Sequence, residues 1–301
     1  MAALYGYNRG KDSSVKKLFA GKKRIKRIAL ALLLVLLVVW TVWGNLTLTV
    51  TRYKLFSDKL PEAFNRWKIV HISDLHSAEF GKNNQSLIDL VRKEKPDMIA
   101  ITGDLVDSGD TELNVALSLV HELMQLAPCY YVTGNHESRM DRDLFYELKN
   151  KLLEEGVQVL RNQRIIIEKE GQIIQLVGLD DPDFTNWITA MQSSILQMTL
   201  NRMDLTEDYC ILLSHRPEAF DAYVAEGMDL VLSGHTHGGQ FRLPIIGGII
   251  APNQGLFPEY DAGKYSKKDT TMIVSRGIGN SIIPLRFNNP PELVVVELIR
   301  R

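Results

Sequence analysis

Five apolar runs in this chain each end in residues that can bind metal or move protons. Residues 68–73 run into Asp74-Leu75-His76, and 97–102 into Gly103-Asp104-Leu105-Val106-Asp107. Residues 129–133 are followed by Gly134-Asn135-His136-Glu137, and 209–214 by His215. Residues 229–233 end in Gly234-His235-Thr236-His237-Gly238-Gly239-Gln240. Asp, His and Asn side chains are donors of intermediate to hard character, suited to Mn, Fe or Zn rather than to a soft thiolate site. Seven or eight such groups exceed the needs of one tetrahedral ion. They suit two ions about 3.5–4 Å apart, the arrangement that aligns a nucleophile and stabilises phosphoryl oxygens. In Asp74-Leu75-His76 and His235-Thr236-His237, the one-residue spacing points both side chains of a pair the same way if the backbone is extended.

Each motif alone has a bland reading. Asp-x-His is common by chance, and Gly-Asp-x-x-Asp is often a turn; Gly-Asn-His-Glu and a His-x-His after an apolar strand are rarer. Accidents at five successive strand ends are improbable together. Of the seven histidines, His76, His136, His215, His235 and His237 fall in these motifs. His71 lies inside a strand pattern and His121 inside an amphipathic helix pattern, so both read as structural.

The elements that must position these groups alternate. Residues 46–55 (LTLTVTRYKL) alternate like a strand. Helical spacing is expected over 84–93, 112–126, 141–155, 187–200 and 217–225, between the apolar strands. Residues 164–179 hold two apolar runs around Lys169-Glu170-Gly171, a hairpin signal, and strands return at 270–275 and 292–298. Such alternation predicts an α/β domain with helices flanking sheet, whose ligands bind beyond the carboxyl ends of the strands.

The order Asp-x-His, Gly-Asp-x-x-Asp, Gly-Asn-His-Glu, His, Gly-His-x-His resembles the calcineurin-like metallophosphoesterase superfamily. The segment SGHTHGGQFRLP and the later SRGIGNSIIPLRFNNPPELVVVEL resemble its bacterial membrane-associated branch, with phosphodiesterase and UDP-diacylglucosamine hydrolase members. The resemblance covers roughly residues 46–301. It implies a four-layer αββα fold, two mixed β-sheets sandwiched between helices. It places one divalent metal ion between Asp74, His76, Asp104 and His237, and a second between Asp104, Asn135, His215 and His235. A metal-bridging hydroxide would then attack phosphorus in line. His136 becomes the general acid or phosphate holder, oriented by Asp107. The ion identity stays open among Mn, Fe and Zn.

Two positions depart from the protein-phosphatase branch. Ser108 stands where that branch carries a phosphate-binding arginine, and that branch lacks an ending like Gly-His-x-His. Arg139, in a GNHESR stretch that echoes it, fits a solvated loop. Gly238-Gly239 reads as a tight backbone turn, and Asp180-Asp181-Pro182 as a turn beside the site rather than as ligands. The implied activity is hydrolysis of phosphodiester or pyrophosphate bonds; a phosphomonoesterase or phosphoprotein phosphatase with the same site, or a binding protein that retained the fold, are the alternatives.

Composition adds the setting. Hydrophobic residues make up 45% of the 301 and charged residues 24%, as in an ordinary folded protein. Residues 1–27 carry nine cations against Asp12, a net +8 that leaves −9 for the remainder of a chain of net −1. An acidic domain repels polyanions, so nucleic acid is not an expected partner. Residues 28–51 hold no charge, and the apolar run at their start is followed by Trp40 and Trp43. A span of about 20 helical residues crosses a bilayer core, and tryptophan favours its interface.

The expected organisation is a basic cytoplasmic tail at 1–27, a transmembrane signal anchor at 28–50 and a catalytic domain at 51–301 outside the cytoplasm. A cleaved signal peptide is the rival reading. The phosphoester substrate would then be lipid-linked or another envelope component. Cys129 and Cys210, each in an apolar strand run, are expected to be buried free thiols.

Overall fold

The computed structural model describes residues 6–109, 112–185, 191–280 and 285–301, with side chains from residue 23 onward. The chain divides into two units, Met1–Trp43 and Gly44–Arg301. The first is helical: α1 runs Gly6–Leu46, and its part Lys23–Leu46 is long and apolar enough to cross a membrane, with a mean hydropathy of 2.3. The strand expected at 46–55 begins three residues later: α1 ends at Leu46 and β1 starts at Thr49.

The second unit is built on two six-stranded mixed sheets. One has strands β1 (Thr49–Ser57), β2 (Lys68–Ile72), β3 (Met98–Thr102), β4 (Cys129–Val132), β5 (Gln158–Val159) and β16 (Glu292–Arg300), in the order β1-β16-β2-β3-β4-β5. The other has β6 (Gln163–Lys169), β7 (Gln172–Gly178), β8 (Cys210–Leu213), β9 (Leu230–Ser233), β14 (Gly263–Lys267) and β15 (Thr270–Val274), in the order β14-β15-β9-β8-β7-β6. Two small hairpins lie between β9 and β14: β10 (Arg242–Leu243) with β11 (Gly247–Gly248), and β12 (Ile250–Ala251) with β13 (Gly255–Leu256). The helices are α2 (Gln85–Glu94), α3 (Asn114–Met124), α4 (Asn135–Arg139), α5 (Arg142–Glu154), α6 (Gln192–Asn201) and α7 (Phe220–Ala225).

Strand alternation fixes the layers. On β2 and β3, Val70, Ile72, Ile99 and Ile101 pack with Leu87, Leu119 and Leu148 of α2, α3 and α5. Their neighbours Ile69, Met98 and Ala100 turn the other way, into a core shared with Leu176, Ile211 and Leu232 of the second sheet. Val177, Leu212 and Val231 face outward again, against Leu196 of α6 and Tyr223 of α7. Helix, sheet, sheet, helix is the expected four-layer arrangement. Strands buried on both faces read as unbroken apolar runs, which is why the central ones were visible in sequence. Trp187, the expected start of α6, lies outside the described residues.

Candidate metal centre

The carboxyl ends of β2, β3 and β4 in one sheet, and of β8 and β9 in the other, converge on one polar cluster. Parallel pairing of β2-β3-β4 and of β8-β9 brings five loops to the same edge. Asp74, His76, Asp104 and His237 offer ligand atoms within 4.8 Å of one another, and so do Asp104, His215 and His235. His76 Nε2 lies 3.1 Å from His237 Nε2, and His237 Nε2 lies 3.4 Å from Asp74 Oδ1. His215 Nε2 lies 3.2 Å from each of Asp104 Oδ2, Asn135 Oδ1 and His235 Nδ1. All seven expected ligands therefore meet, with Asp104 common to both groups.

The backbone reaches this arrangement by an unexpected route. Asp74, His76, Asp104, His235 and His237 all have positive φ, between 46° and 72°. An extended chain, the premise for reading Asp-x-His and His-x-His, is not what aims these pairs. Left-handed non-glycine residues cost of order 1–3 kcal/mol each when strained, and such residues gather at functional sites. Room for them comes from glycine: a Cβ at Gly134 would collide with Asp104 Oδ1, and one at Gly234 with Ser73 Oγ.

Glu137 secures the turns. Its carboxylate accepts the backbone N–H groups of Asp104, Leu105 and Gly134 at 2.9, 2.8 and 2.6 Å. Two buried arginines stand behind the outer imidazoles. Arg216 Nη1 donates to His235 Nε2 at 3.0 Å while its Nε and Nη2 grip Asp181 at 2.5 and 2.7 Å. Arg286 Nη2 lies 3.3 Å from His237 Nδ1, and its Nη1 donates to the Arg276 carbonyl at 2.7 Å.

The sequence reading passed over Glu137, Arg216 and Arg286. Glu137 stood in a quoted motif, and Arg216 directly follows His215, so adjacency was the available signal. Asp181 is a turn residue as expected, and also the arginine's partner. Arg139 pairs with Asp183 at 2.7 Å on the surface, His71 hydrogen-bonds Thr102 inside the sheet, and His121 pairs with Glu155. Cys129 and Cys210 are buried free thiols. Gly238 and Gly239 turn with φ of 62° and 72°, and a Cβ on Gly239 would collide with Gly248 Cα.

His136 and Asp107 sit beside the cluster. The Asp107 carboxylate comes to 3.5 Å from His136 Nδ1, but the hydrogen bond to that nitrogen is donated by the Ser108 backbone at 3.1 Å. A nitrogen that accepts carries no proton, so the neutral ring holds its hydrogen on Nε2. Asp107 is placed to balance the charge when the ring is doubly protonated. Ser108 thus contributes through its main chain.

The electrostatics match an ion-binding cluster. Two ring nitrogens and two carboxylates with converging lone pairs repel one another unless a cation lies between them. Burial pushes the Asp74 carboxyl up to about 6, with Asp104 adding to it. Burial would raise Asp104 too, but His215, His76 and His136 hold it well below the usual carboxylate range. Burial lowers His76 to about 4, and lowers His235 and His237 strongly, the last two helped by Arg216 and by His76 and Arg286 respectively. Neutral imidazole is the form that binds metal. His215 is the exception: burial would lower it, yet Asp104, Asp74 and Asp181 raise it to about 10.

A pH prediction follows. A histidine raised on folding contributes fully below its unfolded value near 6.5, and the contribution is lost as pH climbs toward 10. Below pH 7 the shifts of Asp74, Glu137 and His76 oppose one another, and the cysteine thiols, raised to about 12, act only from about 9 upward. Between pH 7 and 9, metal-free protein should therefore lose about 2–3 kcal/mol, or roughly 4–9 °C in Tm. Excess Mn²⁺ should flatten that slope, read by thermal unfolding with and without chelator.

Comparison with known proteins agrees with this geometry. The calcineurin-like phosphoesterase family model matches residues 68–239. The chain is a calcineurin-like phosphoesterase. It is 30% identical over 261 residues to an uncharacterized metallophosphoesterase, YkuE, of Bacillus subtilis (strain 168), covering 83% of this chain and 85% of the relative. It is 30% identical to Phosphodiesterase YaeI of Escherichia coli (strain K12), over 77% of this chain and 82% of that protein. A transmembrane protein with metallophosphoesterase domain from Danio rerio is also 30% identical, over 80% of this chain and 55% of its own length. This phosphoesterase is therefore a hydrolase of a metal-dependent family.

Proposed function

We propose that this phosphoesterase is a membrane-anchored, dinuclear enzyme that hydrolyses phosphodiester or pyrophosphate bonds in a lipid-linked or other envelope substrate. The observation that carries the reading is Asp104, common to two buried ligand groups. Asp74, His76, Asp104 and His237 would hold one divalent ion, and Asp104, Asn135, His215 and His235 the other, with Mn, Fe or Zn compatible with the donors. Such a pair supplies an acidified water nucleophile and neutralises phosphoryl charge.

The chain's own residues do the rest. Glu137 and the glycine turns hold the carboxylates against their mutual repulsion. His136, with Nε2 carrying the hydrogen, would donate a hydrogen bond to a phosphoryl oxygen. As general acid it would first hold a second proton on Nδ1 beside the Asp107 carboxylate, then pass the Nε2 proton to the leaving-group oxygen and return to a neutral ring. The name of the Escherichia coli relative favours diesters. The apolar segment Lys23–Leu46, the basic residues before it and the name of the Danio rerio relative favour a single-pass anchor. Positive charge keeps the N-terminus cytoplasmic, which puts the catalytic unit on the outer side.

The test is hydrolysis of bis-p-nitrophenyl phosphate against p-nitrophenyl phosphate by the full chain, stripped of metal and then reloaded with Mn²⁺. Metal-dependent cleavage with the diester faster by at least tenfold is expected. A protein that binds two ions yet prefers the monoester would overturn the diester assignment; one that binds no ion would sink the whole reading.

A further inference from the structure

The two small hairpins after His237 expose aliphatic side chains that the catalytic reading does not use. Ile245 is fully exposed at the turn between β10 and β11, with Leu243 and Ile246 beside it. Leu256 and Phe257, at the end of the second hairpin, are 67% and 64% exposed, and Leu285 is exposed as well. Ile245 also has a φ of 72°. At such a turn glycine or asparagine adopts the left-handed conformation with less strain, and a β-branched residue there is an outlier. Contact with water gives no reason to place isoleucine at that apex. Clustered exposed apolar residues on a folded domain mark an interaction surface.

The position of these hairpins says what they meet. Asn45 is the second residue of the unit that begins at Gly44, and its side chain accepts from the Arg286 backbone N–H at 2.8 Å and donates to the Arg286 carbonyl at 2.7 Å. Arg286 follows the exposed Leu285, and Phe287 accepts from the Arg242 backbone at 3.0 Å at the root of the first hairpin. The Ile249 backbone between the hairpins bonds the carbonyls of Gly239 and Phe241 at 3.2 and 2.8 Å, and Phe257 bonds Ile249 at 2.8 Å. The Arg286 side chain in turn reaches His237. One short hydrogen-bonded network within the second unit thus joins Asn45, close in sequence to the end of the apolar segment, with the exposed hairpins and a candidate metal ligand. Arg242, within the first hairpin, is paired with Asp261 at 2.9 Å.

We propose that the hairpins spanning residues 242–257, with Leu285, seat in the bilayer surface as a second membrane contact that faces the catalytic cluster toward lipid headgroups. Apolar side chains carried on a polar scaffold bury into the headgroup–acyl boundary to a depth of about 5–10 Å. The inference rests on the membrane-anchored reading and names the side of the site from which substrate arrives. A phosphoester at headgroup level would then reach the cluster without leaving the membrane.

The experiment uses the full chain in phosphatidylcholine–phosphatidylglycerol vesicles. Cys129 and Cys210 are buried, so Ile245→Cys and, separately, Leu256→Cys accept a polarity-sensitive thiol fluorophore selectively. Glu168→Cys, near the far end of β6 from the cluster, is the control. Blue-shifted emission and at least threefold stronger quenching by lipids brominated on their acyl chains are expected at positions 245 and 256 relative to 168. Water-like emission at both positions, equal to the control, would overturn the proposal. Two labelled sites guard against a local misfold at either one. Hydrolysis of bis-p-nitrophenyl phosphate by the same samples separates the two readings: an active enzyme with unquenched labels refutes only the membrane contact, and quenched labels on an inactive protein refute only the catalytic assignment.

Discussion

Replacing Asp104 with asparagine should lower kcat/KM for any phosphoester by about 10³-fold or more, roughly 4 kcal/mol of transition-state stabilisation. The change is almost isosteric. The amide would keep the oxygen that accepts the His136 backbone N–H at 2.8 Å, so the turn before α4 should persist. What it loses is the charge on Oδ2, which lies 3.2 Å from His215 Nε2 and 3.6 Å from His76 Nε2. If the amide nitrogen takes that place, it directs N–H groups at two ring nitrogens that, on the proposed reading, would offer lone pairs to an ion. Because Asp104 belongs to both ligand groups, metal content should fall at both. Elemental analysis of Asp104→Asn should find less than half the metal of the parent chain. A second readout needs no activity. Asp104 is the foremost charge raising His215, so in metal-free Asp104→Asn that imidazole should titrate well below the value of about 10 reached in the parent. Undiminished turnover in Asp104→Asn would remove the shared-ligand reading.

Much of this site was legible because of how parallel strands are buried. A strand covered on both faces carries few polar residues, His71 and Thr102 being exceptions that hydrogen-bond each other, so polar residues gather where each apolar run leaves the sheet at its carboxyl end. Asp74, Asp104, Asn135, His215 and His235 are the residues found this way. Their convergence was legible only through their number, since sequence carries no distances between β3 and β8. The left-handed backbone at Asp74 and His235 was not legible at all: it depends on Gly234 and Gly134 leaving space beside carboxylates that are distant in sequence.

The supporting residues escaped for related reasons. Glu137 looks like one more candidate ligand, yet its oxygens are taken by the backbone N–H groups of Asp104, Leu105, Val106 and Gly134. The hairpins at 242–257 carry two-residue strands, too short for alternation to register. Strand β14 is a polar edge strand, GKYSK, and edge strands lack the apolar signature of the central ones. The start of β1 was read three residues early because Leu46-Thr47-Leu48 is apolar enough to extend either element.

Arg216→Met should destabilise the fold by about 3–5 kcal/mol, the largest structural effect expected of any single substitution near the site. Arg216 is 1% exposed, and its guanidinium is the bidentate partner of the equally buried Asp181. Burial disfavours the charged arginine, but Asp181, Glu218 and Asp183 raise its pKa and keep it charged. Methionine fills much of the volume and removes both guanidinium contacts, leaving the buried Asp181 side chain the Asp183 backbone N–H at 2.9 Å. The cost is therefore that of an abandoned buried carboxylate, and not the worth of the pair. That distinction is testable. Adding Asp181→Asn to Arg216→Met should recover at least half of the loss in chemical denaturation, because the neutral amide still caps the turn at Asp183. Equal instability of the single and double variants would mean that lost packing, and not lost charge, dominates. Arg216→Lys should hold intermediate stability but lower activity by about 10–100-fold, as changes just outside a metal's ligands commonly do. An ammonium lacks the planar fork that grips Asp181 with two nitrogens while a third reaches His235.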